Sequence, residues 1–374
     1  MKITNLVVSA LILFVVSSPQ AYAFENAFTT GGSSPATFSH ADQTDLSLQT
    51  PDMLAQYMYT NFSIGRTNVR VGAHEATLTR GFLIDDVFSG ISIVTPEPTL
   101  GIDALSMMWI KNDPDDTPSS FTPKTDVYYL SPSINMGSLS VNPYFIYQVK
   151  TAEETTLDKE QTPLLPPART EKTLPENTYY LGVDLDARIN MASAWFTGIY
   201  EKGMDAQKPR RAYLFAAGGG VDMGNTGLHG QALYASGKDN TETDTTFFSG
   251  TQYGSYDWST ILGGGTRSRG TQATPSADPL SNIMALNFGA SHKPVDNLTV
   301  KADIWYALLA EPGVDDGTRK KKPDNLGTEI DVTISYEVID GLNLDVMAAY
   351  LITGDAMANE ENPMELGTRL SLDF

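Results

Sequence analysis

The chain of 374 residues contains no cysteine. This excludes a disulfide scaffold, a thiolate zinc site and a cysteine nucleophile. Basic residues are few: Lys and Arg number 25 against 45 Asp and Glu, a formal net charge of -20. A nucleic-acid binder needs basic surface to neutralise phosphates, so that class of partner is excluded. Apolar runs are scarce as well. One spans Leu6 to Val16 and no second long run follows, which excludes a polytopic helical membrane protein. Catalytic signatures are also missing. The four histidines, His40, His74, His229 and His292, show no His-Glu-x-x-His spacing, and there is no Gly-x-Ser-x-Gly elbow. Gly218-Gly219-Gly220 and Gly263-Gly264-Gly265 lack the Lys-Ser/Thr of a phosphate loop. The first reads better as a strand stretch where neighbours approach closely. Asp113, Asp115 and Asp116 flank Pro114 without a Gly-centred loop, so they read as a solvated acidic loop rather than a calcium site. The chain is therefore expected to be no enzyme and to need no cofactor.

The hydrophobic fraction of 41% is too high for a disordered chain. At the N-terminus, Lys2 precedes the Leu6–Val16 run, then Ser17-Ser18-Pro19 and the small-x-small site Ala21-Tyr22-Ala23. This reads as a signal peptide over residues 1–23, cleaved after Ala23, with a single domain over 24–374.

The remainder alternates with period two, as a sheet with one dry and one wet face requires. Leu326, Thr328, Ile330, Val332, Ile334 and Tyr336 share one face; Glu329, Asp331 and Ser335 share the other. The Asp340-Gly341 turn follows, then Leu342, Leu344, Val346, Ala348 and Tyr350. The same design recurs at Met284–Leu308, Tyr179–Tyr200, Tyr213–Ser236 and around Gly137. A soluble β-sandwich, an adhesin or secreted binding protein, shows such alternation too. Three features favour a transmembrane antiparallel up-and-down β-barrel. The segments run about ten residues, enough for a tilted strand to cross a bilayer. Short turns near 137, 190, 224, 295 and 340 alternate with long polar loops at 111–125, 151–177, 237–281, 309–325 and 353–364. Tyr and Phe recur at the ends of apolar faces, the depth amphipathic rings prefer. Counting hairpins predicts about 16 strands, within a range of about 14–18, with an N-terminal strand near Phe38–Leu48. The expected location is the outer membrane, with lipid and lipopolysaccharide as surroundings. The basic run Arg319–Lys322 is a candidate contact for lipopolysaccharide phosphates.

Val69-Arg70-Val71-Gly72 leads into Thr79-Arg80-Gly81-Phe82 and on to Asp85-Asp86-Val87-Phe88-Ser89-Gly90-Ile91. This resembles the alginate-export family of outer-membrane porins, in which a strand ends in a Gly-Arg pair and a Phe-Asp-Gly-Val stretch follows. Here Ala73 follows Gly72 and Ser89 stands in place of the Asp. Phe248–Ile261 is similar to an outer-loop segment of that family. A last strand Leu366–Phe374, alternating and ending in Phe374, is similar to what such barrels present to the barrel-assembly machinery. The resemblance implies export of an acidic exopolysaccharide as the alternative to passive passage of small solutes.

By alternation the lumen receives Asn68, Arg70, His74, Asp184, Asp186, Arg188, Lys301, Asp303, Glu329, Asp331, Asp345, Arg369 and Asp373. Arg80 with Asp85 and Asp86 lies in a bulky apolar segment, as expected of a loop folded into the pore. Charges of both signs inside a barrel cross-link strands or shape a constriction field. Acids outnumber bases here, which favours cationic or neutral solutes over a polyanion. The expected function is a porin for small hydrophilic solutes.

Overall fold

The computed structural model describes residues 27–29, 36–41, 58–97, 101–112, 125–150, 154–155, 171–172, 176–205, 208–237, 246–251, 256, 258–263, 280–312, 322–357 and 361–372. The expected signal peptide over residues 1–23, the Asp113–Asp116 cluster, residues 319–321, Asp373 and Phe374 lie outside them.

Sixteen antiparallel strands form one sheet. They are β1 (Ala36–Ala41), β2 (Met58–Ile64), β3 (Thr67–Leu78), β4 (Ile84–Glu97), β5 (Ile102–Asn112), β6 (Thr125–Met136), β7 (Leu139–Lys150) and β8 (Glu176–Ile189). There follow β9 (Ala192–Asp205), β10 (Lys208–Asp222), β11 (Thr226–Ala235), β12 (Ile283–Val295), β13 (Leu298–Leu308), β14 (Asn325–Ile339), β15 (Leu342–Thr353) and β16 (Met364–Leu372). From β2 to β16 each strand pairs with the next in the chain. The last strand pairs with the first, Leu366 opposite His40, and the strand order is that of an up-and-down barrel. Ala27–Thr29 adds a short pairing on β2, and residues 154–155 pair with 171–172 apart from the barrel.

Alternation sorts the side chains by polarity in an inverted sense. On β12, Leu286 is 59% and Phe288 62% exposed, while Asn287 between them is buried. Pairing carries the outer row Ala187–Ala194–Gly219–Gly230–Phe288–Ile304–Ile330–Tyr350 around the barrel. At the loop-side ends aromatic rings stack in two exterior runs. Tyr128, Tyr147 and Tyr179 lie 6.3 and 4.7 Å apart, and Tyr200, Tyr213, Phe215 and Tyr234 continue the belt at 5.3, 6.3 and 6.4 Å.

One residue leaves the face its spacing predicts. Leu326 belongs by alternation with the outward Ile330, yet it is fully buried in the interior cluster. Between β13 and β14, Ala307 pairs with Gly327 but Leu308 pairs with Asn325, so Leu326 is the extra residue of a bulge. Gly327 sits at φ 134°, a conformation nearly closed to other residues, and the phase of the strand flips there.

Candidate functional site

The inward row one step below the barrel's midline runs Asp186, Trp195, Gly218, Gln231, Asn287, Trp305, Glu329 and Leu351, from β8 to β15. The next row toward the turns runs Arg188, Ser193, Gly220, His229, Gly289, Asp303, Asp331 and Ala349. Period two therefore delivers Asp186, Arg188, Asp303, Glu329 and Asp331 to two adjacent rings, with Asp184 one row nearer the loops and Lys301 one row nearer the turns.

Arg80 crosses the lumen. It sits in the β3–β4 connection at φ 57°, and its guanidinium donates to the Asp186 carboxylate at 2.5 Å and to the Leu185 carbonyl at 3.2 Å. It also lies over the Trp195 ring, 4.8 Å from the centroid. Gly218 leaves the space that this ring fills, since a Cβ there would stand 2.7 Å from it. Both partners of the ion pair are part-exposed, at 26% and 49%, so the pair adds little stability. Arg80→Ala is accordingly expected to change unfolding free energy by under about 1 kcal/mol. The same substitution should raise single-channel conductance in planar bilayers, because it removes the strut from the bore. Unchanged conductance would place Arg80 away from the narrow part.

Asp303 gathers three partners. His229 Nε2 lies 2.7 Å from it, Asn287 donates at 3.0 Å, and the Lys301 ammonium stands at 3.2 Å. The His229–Asp303 contact bridges strand β12 over Gly289, where a Cβ would meet both groups at 2.3 Å. Asp345 accepts two bonds from Arg369, at 2.8 and 3.0 Å. Asp184 accepts from the Thr197 hydroxyl at 2.6 Å. On β3, His74 is buried against Ser92 Oγ at 2.6 Å and the Phe88 ring, and Arg70 stacks on Tyr59. Asp85 is not brought to this group. It pairs with Thr77 on the face opposite Leu78 and Ile84 and accepts its hydroxyl bond at 2.7 Å. Asp86 lies in β4 opposite Ala76.

The loop expected outside at 237–281 enters the barrel. Its described residues 246–251, 256 and 258–263 line the wall from within. Ser249 donates from its N–H and hydroxyl to Glu201, both at 3.0 Å, and Arg210 reaches Glu201 at 3.1 Å. The Tyr180 hydroxyl donates to the Gly250 carbonyl, and Thr251 donates to the Leu83 carbonyl. Tyr256 donates to Gln231 at 3.1 Å and packs on Phe82. Trp258 meets Trp305 at 5.1 Å between centroids. Phe82, Leu83, Ile84, Phe248, Trp258, Ile261 and Leu262 are all buried and join one cluster with the wall residues Ile199, Leu214 and Trp305. The loop-side half of the lumen is thus packed and apolar. The turn-side mouth holds a cavity of about 710 Å³ lined by Arg188, Asn190, His229, Ser291 and Lys293 among others.

Alternation missed Glu201 and Arg210 because the legible strand signal stops at Tyr200 and resumes at Tyr213. Extending it one residue beyond Tyr200 puts Glu201 inside. The infolded segment left one trace, the apolar density of Phe247, Phe248, Tyr256, Trp258, Ile261 and Leu262 within a long loop.

No family model and no curated relative matches the chain. Solved structures do. Pseudomonas aeruginosa OccK5 (OpdH) superposes with a TM-score of 0.51 at 9% identity, over 85% of this chain and 80% of that one. The P. aeruginosa outer membrane protein opdK gives 0.51 at 10%, over 84% and 79%. Acinetobacter baumannii OccAB4 gives 0.52 at 10%, over 84% and 73%. These are Occ/Opd porins, and they overturn the resemblance to the alginate-export family. The stretch that carried that resemblance, Val69–Ile91, is the β3–β4 hairpin with its infolded connection. Strand alternation and the packing of the infolded connection account for its residues. At these identities the likeness is one of architecture: the chain has the fold of the Gram-negative outer-membrane porins.

Proposed function

We propose that the chain is an integral outer-membrane channel for passive passage of small hydrophilic solutes. The observation that carries this reading is the inverted sorting of side chains around the sheet. A continuous belt of exposed Leu, Ile, Phe and Tyr far exceeds what a soluble monomer leaves bare, and it matches the outward apolar band with aromatic girdles of membrane barrels. Lipid is the neighbour of that belt. The same reading includes a cleaved leader over residues 1–23 and recognition of Phe374 by the assembly machinery.

The constriction favours cationic or neutral solutes. Asp186, Glu201, Asp303 and Asp345 each have a cationic partner. Asp184, Glu329 and Asp331 make no ion pair among the described residues. Arg188 and Lys293 stand at the turn-side mouth, beyond the narrow zone. Asp184→Asn should shift the reversal potential in a salt gradient toward anion preference, and Asp303→Asn should shift it less, because the Lys301 ammonium offsets that charge. A reversal potential indifferent to both would remove these carboxylates from the selective region. Liposome swelling with sugars of graded size tests passage itself. A mature chain that stays monodisperse in plain buffer and migrates alike on gels whether boiled or not would overturn the channel reading.

A further inference from the structure

The turn at 259–263 is wrapped around one carboxylate. Glu329 is fully buried on β14, and the infolded segment supplies three hydrogen bonds to it. Its Oε1 accepts the Ile261 N–H at 2.6 Å, and its Oε2 accepts the Leu262 N–H at 2.8 Å and the Ser259 hydroxyl at 3.0 Å. Ser259 Oγ in turn accepts the Gly263 N–H at 2.8 Å. One strand step away, Asp331 accepts the Thr260 N–H at 3.4 Å, while its second oxygen is buried without a partner. No cation neutralises either group among the described residues.

This arrangement fills part of the loop-side lumen. Trp258, Ile261 and Leu262 fill the space between the β13 wall and the Phe82–Leu83–Ile84 segment, and Thr251 joins the two infolded pieces across the lumen. A hydrophilic solute entering that packed volume would shed water without finding partners. The described turn has no ladder pairing with the wall; side-chain contacts and a few charge-assisted bonds hold it. Such contacts can release while the barrel's own ladder stays intact.

We propose that residues 258–263 form a displaceable plug, that Glu329 is the residue positioning it, and that conduction requires the turn to leave this carboxylate. The proposal rests on the channel reading. Its test uses the absence of native cysteine. The double variant Thr260→Cys/Asp331→Cys joins plug to wall at their point of contact, and correct folding is checked by the heat-dependent gel shift. In planar bilayers the oxidised protein should fall to baseline conductance, and reductant should restore it. Equal conductance in the oxidised and reduced states overturns the plug while leaving the channel standing. Glu329→Gln keeps the shape and removes the charge, so open-state occupancy should rise roughly tenfold, about one charge-assisted hydrogen bond. Ser259→Ala, which deletes one donor, should move it less in the same direction. Unaltered gating in Glu329→Gln overturns the positioning role. Wild type, reduced pair and Glu329→Gln all silent, with the gel shift intact, overturns the channel reading itself.

Discussion

Phe288→Arg is expected to destabilise the barrel in lipid by about 2–4 kcal/mol, and Ile304→Arg by a similar amount. Both side chains stand mid-strand on the outer face, 62% and 52% exposed, and pair directly across β12 and β13. On a soluble protein, substitutions at such exposed positions stay within about 0.5 kcal/mol. In a bilayer the same exposure is to hydrocarbon, and a guanidinium there must snorkel or thin the membrane. Ser291, three residues along β12, faces the turn-side cavity, so Ser291→Arg should stay within about 0.5 kcal/mol. Urea titrations of folding into liposomes, read by the gel shift of the folded form, compare the three. If Phe288→Arg proved as mild as Ser291→Arg, the outward face would not meet lipid, and a soluble architecture would have to be reconsidered.

The barrel was legible because one rule, alternation, repeats through every strand from Thr67 to Leu372. Turn chemistry such as Asp340-Gly341 marked the hairpins, and the count of sixteen followed from them. The N-terminal strand was expected near Phe38–Leu48 and lies at Ala36–Ala41, where six residues are too few for a period to declare itself. Alternation also placed Asp184, Asp186, Arg188, Asp303, Glu329 and Asp331 inside. It failed where phase breaks, at the Leu326 bulge, and where the period is absent, in the loop. Nothing in the residues around Ser259 announces that their N–H groups will turn toward Glu329. That contact joins positions 68 and 67 apart in sequence, and only the infolding of the loop against the wall brings them together. For Asp85 the apolar surroundings suggested the lumen, and the pairing shows only that it shares a face with Thr77, opposite Leu78 and Ile84.

Arg210→Ala is expected to cost about 3–5 kcal/mol, because it strands a buried carboxylate. Glu201 has no exposure at all and Arg210 only 14% in their side chains, so water screens the pair poorly. The Ser249 N–H and hydroxyl would remain on Glu201, but neither brings positive charge. The opposite deletion should be milder. Without Glu201, Arg210 keeps the Ser249 hydroxyl and the Phe247 ring 5.2 Å from its guanidinium carbon, and its partial exposure lets it reach solvent. The expected order of destabilisation is therefore Arg210→Ala above Glu201→Gln. Arg210→Met combined with Glu201→Leu should recover most of the loss, since replacing both charges with apolar groups of similar volume removes the unpaired group. A double-mutant cycle from urea unfolding in lipid measures this, and its coupling energy reports how far this end of the infolded segment is held by charge. Equal losses for the two single variants would show that Glu201 finds water when its partner is gone, and that the loop-side lumen is wetter than its packing implies.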